Sequence, residues 1–373
     1  MLGPGDPVSS LYLRTTGNPR YSLDSVAGRY VVLTFLGGTR AKGARPFLDR
    51  LYASQHIFDD SKACCFLVIS DPSDEAKGRV GDRYPGIRVA WDDSFDLARA
   101  FGVARDEGGG TQLRLVSVIL DPGLRVCDVV PFDAAKDHLS LLQERIAALP
   151  DPSESTGVAP VLMVPNLIEP ELCRAYITYA QQTGLTDSGY MKTDPATGNT
   201  VLVVDHAHKS RSDCMIDDEA LRGALQARIK QRLIPQIERA FQFRVTRMER
   251  YLIARYDAQS GGWFRPHKDN TTMGTAHRRF AVSINLNAED YDGGELRFPE
   301  FGPRTHRPPT GGAIVFSCSL LHEATPVTRG SRYCILPFLY DEAAAQIRLE
   351  NARYLDDPNL RDSVVKSVTA QPA

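Results

Sequence analysis

The chain has 373 residues, 42% of them apolar and 24% charged, with a formal net charge of −2. That length exceeds what one hydrophobic core usually serves, so two domains are expected; the near-neutral balance argues against nucleic acid as a partner, and no run nears the ~18 apolar residues of a membrane span. Residues 1–6 lack a basic-then-apolar leader, and seven scattered cysteines, an odd number, suit reduced thiols in the cytoplasm better than a disulfide framework.

In chain order, the apolar, β-branched runs 30–36, 64–70 and 116–120 are predicted strands, with helical spacing over 45–53 and 94–101 between them. Asp121-Pro122-Gly123 signals a hairpin into 125–130, and 139–149 is a closing helix. This alternation predicts an α/β sheet with helices on both faces over residues 1–150. Residues 151–158 are polar, end near Gly157, and form the expected linker.

A second domain is expected over 159–342. It opens on a helix announced by Glu169-Pro170-Glu171. Residues 187–212, rich in Gly, Thr, Asp and Asn, read as a hairpin or mobile loop. A long helix follows over 217–241, with Leu221, Leu225, Ile229, Leu233 and Ile237 at every fourth position as a core stripe. From 247 to 340 the pattern turns to short strands (249–255, 280–287, 295–299, 313–317, 332–340), which predicts a β-sandwich or barrel. Residues 343–373 are expected to hold one helix and a polar tail.

The chemistry is carried by His267-Lys268-Asp269 and His322. On a strand, His and Asp two residues apart share a face. Two histidines and one carboxylate drawn from different strands form the facial triad of non-haem Fe(II) oxygenases. Such a triad leaves three positions open, two for a bidentate 2-oxo acid and one for O₂. The far carboxylate of that acid needs a cation. Arg332, ten residues after His322 at a strand start, can supply a two-pronged guanidinium. Tyr256 offers a hydroxyl to the same carboxylate. Within 187–212, Lys209, Arg211 and Ser212 suit either a solvated loop or a contact with an anionic substrate group.

These residues resemble the prolyl 4-hydroxylase-like branch of the 2-oxoglutarate/Fe(II) oxygenases. The likeness lies in Arg255-Tyr256, Gly261-Gly262, His267-x-Asp269, Gly293-Gly294-Glu295, His322 and Arg332, and extends loosely back to about Ala159. Several members carry lysine where Arg332 stands. The resemblance implies a double-stranded β-helix (jelly-roll) with flanking helices, and by analogy turns Asn285 toward 2-oxoglutarate or substrate. It also implies a hydroxylase that couples oxidation of 2-oxoglutarate to succinate and CO₂ with hydroxylation of a prolyl, amino-acid or other small or peptidyl substrate. Ascorbate is the expected auxiliary that keeps the iron ferrous.

Gly5-Asp6-Pro7, residues 23–28 and Asp121-Pro122-Gly123 resemble a thioredoxin-like domain of the peroxiredoxin type. That family places a nucleophilic cysteine at a helix N-terminus. Here the loop runs from Gly37 through Thr39 to Gly43, and Lys42 stands about where the cysteine belongs. Cys64 and Cys65 open an apolar strand. The domain is therefore read as redox-inactive and kept for homodimerisation, substrate docking or scaffolding. The competing reading is a thiol-dependent peroxidase or redox-responsive binding module acting through Cys64 or Cys65.

Overall fold

The computed structural model describes residues 1–8, 10–133 and 136–369. The chain divides into two compact units, Met1–Val158 with Pro299–Pro303, and Ala159–Phe298 with Arg304–Ala373.

The first unit is built on a seven-stranded sheet ordered Tyr21–Ser22, Tyr12–Thr15, Ile87–Trp91, Ala63–Ile69, Tyr30–Gly37, Val116–Leu120, Val126–Pro131. The three middle strands among Ile87–Trp91, Ala63–Ile69 and Tyr30–Gly37 are mutually parallel; the Val116–Leu120/Val126–Pro131 hairpin continues the sheet antiparallel. Parallel strands covered on both faces read as continuous apolar runs, which is why 30–36 and 64–70 carry no alternation. Helices Ala44–Ala53 and His138–Ala148 bury Leu48, Leu51, Leu139, Leu142 and Ile146 against Val32, Cys65 and Leu67. By strand alternation Phe35 points to the other face, where Phe101 meets it with ring centroids 5.4 Å apart. Residues 152–154 are not a bare linker, since Pro152–Glu154 forms a 3₁₀ turn capped by Asp151.

The second unit holds two antiparallel sheets that position the site. The larger is ordered Leu162–Val164, Ala313–Ser317, Phe280–Asn285, Ser331–Ile335, Leu252–Asp257, Ser212–Met215, Thr186–Asp187. The smaller is ordered Phe264–His267, His322–Ala324, Leu296–Arg297, Thr305–His306. Strand alternation separates two cores. Ile253, Tyr333 and Ile335 join the helices Pro170–Thr183 and Glu219–Arg228 in one cluster. Leu252, Ala254, Tyr256 and Cys334 join Phe264, Tyr291, Ala324 and Val327 in another. Arg332 shares the parity of Cys334 and so belongs to this second face.

The expected helix over 217–241 is a rod in three pieces, Glu219–Arg228, a π-helical Ile229–Leu233 and Ile234–Phe241. A stripe at every fourth residue drifts about 40° per step on an α-helix. The wider π turn takes up that drift, and Leu225, Ile229, Leu233 and Ile237 all stay buried. The expected strand 249–255 is broken at Arg250, whose φ of +67° ends Arg247–Glu249 before Leu252–Asp257 begins. Pro337 likewise splits 332–340 into Ser331–Ile335 and Phe338–Tyr340. Residues 187–212 contain the hairpin Tyr190–Thr193/Thr200–Val203. After 342 there are two helices, Glu342–Asn351 and Pro358–Thr369, where one helix and a tail were expected. The second buries Val364 against Ala352 and Leu355.

Candidate metal and cosubstrate site

His267 ends the strand Phe264–His267 and pairs directly with His322, the first residue of His322–Ala324. Asp269 lies just past the strand end, so a turn and not strand periodicity brings it beside the histidines; its N–H donates to the Cys318 carbonyl at 3.0 Å. His322 opens a short strand of its own, beyond Ala313–Ser317. One ligand atom from each of His267, Asp269 and His322 lies within 4.8 Å of the others, and no other such group of three occurs among the described residues. His267 Nε2 is 3.7 Å from Asp269 Oδ1, and His322 Nε2 is 3.4 Å from Asp269 Oδ2.

Both imidazoles are locked from behind. His267 Nδ1 donates to the Arg265 carbonyl at 2.8 Å and His322 Nδ1 to the Leu320 carbonyl at 3.0 Å. A carbonyl can only accept, so each Nδ1 carries a proton and each Nε2 is turned to the shared space, the second-sphere arrangement of metal-binding histidines. Phe264 stacks on His267 with centroids 3.5 Å apart, and Phe316 packs edge-on against His322 at 4.6 Å. Burial, then the neighbouring His322, push the His267 imidazole well below its usual range, so its nitrogen is free to ligate. Two imidazoles and a carboxylate are the donor set that suits Fe(II).

Arg332 is 3% exposed and has only neutral partners: Nη1 donates to the Gly294 carbonyl at 2.6 Å and Nη2 to Ser283 Oγ at 2.8 Å. Its Nε is buried without a partner. The Gly293-Gly294 pair permits this approach. At Gly294, φ is +64° and a Cβ would stand 2.7 Å from Val327 and 3.3 Å from Arg332 Cδ. Arg332 pairs across the sheet with Tyr256 and lies 5.3 Å from that ring's centroid. The Tyr256 hydroxyl is reached by Arg211 Nη1 at 3.5 Å. Asn285 spends both amide protons elsewhere, on Tyr291 Oη (2.8 Å) and the Pro308 carbonyl (2.9 Å), and only its buried Oδ1 is without a partner.

Residues 251–340 match the family model described as the 2OG-Fe(II) oxygenase superfamily. This stretch is a 2OG-Fe(II) oxygenase domain. A PKHD-type hydroxylase of Synechococcus sp. (strain JA-2-3B'a(2-13)) is 31% identical over 129 residues, 32% of this chain and 57% of its own length. A PKHD-type hydroxylase of Bordetella pertussis is 40% identical over 89 residues, covering 22% and 38%. The chain thus spans 57% of the length of one of these curated relatives and 38% of the other. Among solved structures, a Pseudomonas putida prolyl-4-hydroxylase aligns at 20% identity over 49% of this chain and 93% of its own, with a TM-score of 0.38. The peroxidoxin BcpB of Mycobacterium tuberculosis aligns at 19% identity over 40% and 99%, with a TM-score of 0.35.

Around the oxygenase domain the structure adds residues that sequence spacing alone passed over. Ser283 lies two positions before Asn285 on one strand and so on the same face; that periodicity could have revealed it. Arg278 donates to Glu249 at 2.7 Å and to the carbonyl of Asp269 at 3.3 Å, linking the acidic ligand to a buried ion network. Lys209 and Arg211 are 4% and 7% exposed, so they do not belong to a solvated loop.

In the first unit, Cys64 and Cys65 are fully buried on Ala63–Ile69, and burial pushes both thiols up to about 12. Cys127 is half-buried and pushed up to about 11, chiefly by burial and then by Asp121. Thr39 is occupied structurally: its N–H and hydroxyl both donate to Asp74, at 2.6 and 2.7 Å. Lys42 is exposed in the turn before Ala44–Ala53.

Proposed function

We propose that this chain is an Fe(II)- and 2-oxoglutarate-dependent dioxygenase that hydroxylates a C–H bond of a prolyl, amino-acid-type or related small or peptidyl substrate, with release of succinate and CO₂. The observation that carries the reading is the triad of His267, Asp269 and His322 with both Nε2 atoms turned inward. Phe264 and Ala324, on the strands that carry the two histidines, belong to the buried cluster that also holds Tyr256, over whose ring Arg332 sits with no carboxylate of its own.

His267, Asp269 and His322 would hold the iron, which supplies activation of O₂ and oxidation of 2-oxoglutarate when bound. The backbone carbonyls of Arg265 and Leu320 hold a proton on each Nδ1 and aim each Nε2 at the shared space. The Arg332 guanidinium would take the far carboxylate of 2-oxoglutarate, with Ser283 and Gly294 fixing its plane and Tyr256 and Asn285 beside it. A buried guanidinium that has only neutral partners gains its missing counter-charge when that carboxylate arrives. Phe264, Phe316 and Phe298 line the histidines with apolar surface and keep water away.

The strand pattern supports a double-stranded β-helix core with flanking helices over 159–342, and the first unit a thioredoxin-like domain that has lost its peroxidatic chemistry. A thiol-dependent peroxidase finds no reactive group in buried Cys64 and Cys65. The first unit then serves scaffolding, docking or dimerisation, in a cytoplasmic enzyme that ascorbate assists. No helix among the described residues is long and apolar enough to cross a membrane.

The test is an anaerobic titration of the metal-free protein with Fe(II) and then 2-oxoglutarate, following the visible charge-transfer band. A band in the wild type that is absent from His267→Ala supports the reading. No band at any concentration would sink it.

A further inference from the structure

Lys209, Arg211 and Arg250 converge on a single carboxylate in the second unit. Arg211 grips Asp213 with two prongs, Nε to Oδ1 at 2.7 Å and Nη2 to Oδ2 at 2.6 Å. Arg250 reaches the same Oδ2 only at 3.9 Å and makes no hydrogen bond. Lys209 Nζ has two neutral partners, Ser188 Oγ at 2.6 Å and the Gly189 carbonyl at 2.5 Å, and no acidic side chain within ion-pair distance. Three basic side chains thus crowd round one carboxylate that only Arg211 grips closely, and Lys209 and Arg211 are more than nine-tenths buried.

This cluster adjoins the candidate iron site. Lys209 Nζ lies 5.0 Å from the centre of the Phe264 ring, which stacks on His267 at 3.5 Å. Lys209 and Arg250 both feel the charge of Asp269. Arg211 contacts the hydroxyl of Tyr256, next to Arg332. The hairpin Tyr190–Thr193/Thr200–Val203 leans over the same place, with Tyr190 packed on His208 at 4.5 Å and near Phe264 at 6.2 Å. Burial, then Arg211, push Lys209 down to about 6; burial, then Arg211 and Arg278, push Arg250 down to about 10. Asp213 and Asp269 pull both groups back up only in part.

Bound iron and 2-oxoglutarate do not supply a further counter-ion. The metal adds positive charge beside Asp269, and the far carboxylate of 2-oxoglutarate is matched by Arg332. An anion placed here would meet basic groups that lack a full counter-charge and would draw Lys209 back to its charged form. We propose that Lys209, Arg211 and Arg250 are the receptor for a carboxylate on the substrate, so that the oxygenase acts on an acidic amino-acid residue or a similarly anionic molecule. Lys209 has a third N–H for it, and Arg250 has its whole guanidinium. This proposal rests on the oxygenase reading and adds the substrate class to it.

The experiment uses the full chain loaded with Mn(II) and saturating 2-oxoglutarate, titrated calorimetrically with the N-acetyl α-amides of aspartate and glutamate. Their uncharged asparagine and glutamine counterparts are run alongside. The charged members should bind about tenfold or more tightly than the uncharged ones, the worth of a charge-assisted hydrogen bond. Lys209→Met, which is apolar and of similar length, should abolish that preference. If Lys209→Met fails to fold by circular dichroism, Arg250→Met should reduce it severalfold. Equal binding of charged and uncharged probes, or none, would overturn the proposal, as would a preference that survives in the folded variants. A raised 2-oxoglutarate requirement in Lys209→Met, read from the Fe(II) charge-transfer band, would assign the cluster to the cosubstrate and also overturn it. Absence of that band from the wild type removes the oxygenase reading itself, and this proposal with it.

Discussion

His267 and His322 face each other across an antiparallel strand pair with ring centroids 4.3 Å apart, and each bonds through Nδ1 to the carbonyl two residues before it. Both rings are therefore fixed by their own backbone. A site prepared in this way binds metal in the folded state and not in the unfolded one, so metal should stabilise the fold by mass action. At a hundred times the dissociation constant the gain is about 2.7 kcal/mol. Mn(II), used as a redox-stable substitute for Fe(II), should raise the melting temperature of the wild type and leave His322→Ala unmoved. A chelator should reverse the gain, and an equal rise in both proteins would show that the metal sits elsewhere.

Arg332 should govern affinity for 2-oxoglutarate and not for the metal. Losing a charge-assisted pair costs about 1.5–3 kcal/mol, roughly 10- to 150-fold in affinity. Arg332→Ala should raise the 2-oxoglutarate concentration needed for the charge-transfer band by that factor, with Fe(II) affinity unchanged. Arg332→Lys keeps the charge but loses the fork that spans Gly294 and Ser283, and should recover only part of the loss. An unchanged 2-oxoglutarate requirement in Arg332→Ala would move the cosubstrate carboxylate to another cation.

The first unit contains a buried histidine with a sign-definite effect on stability. His138 bonds Ser117 Oγ through Nε2 at 2.9 Å and stacks on Phe132 at 3.6 Å, and burial pushes its pKa down to about 4. The unfolded chain takes up a proton near the ordinary 6.5, while the folded one resists until about 4. Stability is therefore intact above 6.5 and is lost as pH falls from 6.5 toward 4. Denaturant unfolding of wild type and His138→Asn across that window should show a steeper acid loss for the wild type. Parallel pH profiles would mean that the ring is protonated in the fold.

Thiol chemistry gives the opposite expectation. In native protein Cys64 and Cys65 should resist an aromatic disulfide reagent that labels them readily in urea, because neither is exposed and neither forms thiolate near neutral pH. Peroxide consumption that falls in Cys64→Ala or Cys65→Ala would reopen a peroxidase role for the first unit.

Sequence pattern carried far where one physical signal dominated. The buried parallel strands stood out because 30–36 and 64–70 are unbroken β-branched runs, and the donor set stood out because His-x-Asp, a later His and an Arg are chemically unusual together. Other features were hidden for identifiable reasons. The break at Arg250 needs a positive φ that no residue type announces, and the placement of Asp269 depends on a turn held by Cys318. Lys209 and Arg211 lie in a Gly- and Asp-rich stretch whose composition suggests solvent; only the pairing of Ser212–Met215 with Leu252–Asp257 draws them inside. The helix Pro358–Thr369 was obscured because its apolar contribution is narrow, with Val364 its buried contact.

Glu249 links the candidate ligand Asp269 to the helix Glu342–Asn351. It accepts from Arg278 Nε at 2.7 Å, lies 2.8 Å from Arg348 Nη2 and 3.2 Å from His277 Nε2, and is 7% exposed. Despite burial, Arg278, His277 and Arg348 hold its carboxyl well below the usual range. Its contribution is therefore present above the ordinary value of 4.5 and is lost only as pH falls below it. Removing one member of a buried ion network strands the others, typically at ~3–5 kcal/mol. Glu249→Gln should lower stability by about that amount at pH 7 and flatten the acid limb of the wild-type profile. Because Arg278 also bonds the Asp269 carbonyl, Arg278→Met should weaken Mn(II) binding in calorimetry. Arg348→Met, with no contact to that loop, should lower stability while leaving the metal affinity nearly as it was. If Arg278→Met and Arg348→Met affect metal binding alike, the network supports the fold without orienting Asp269.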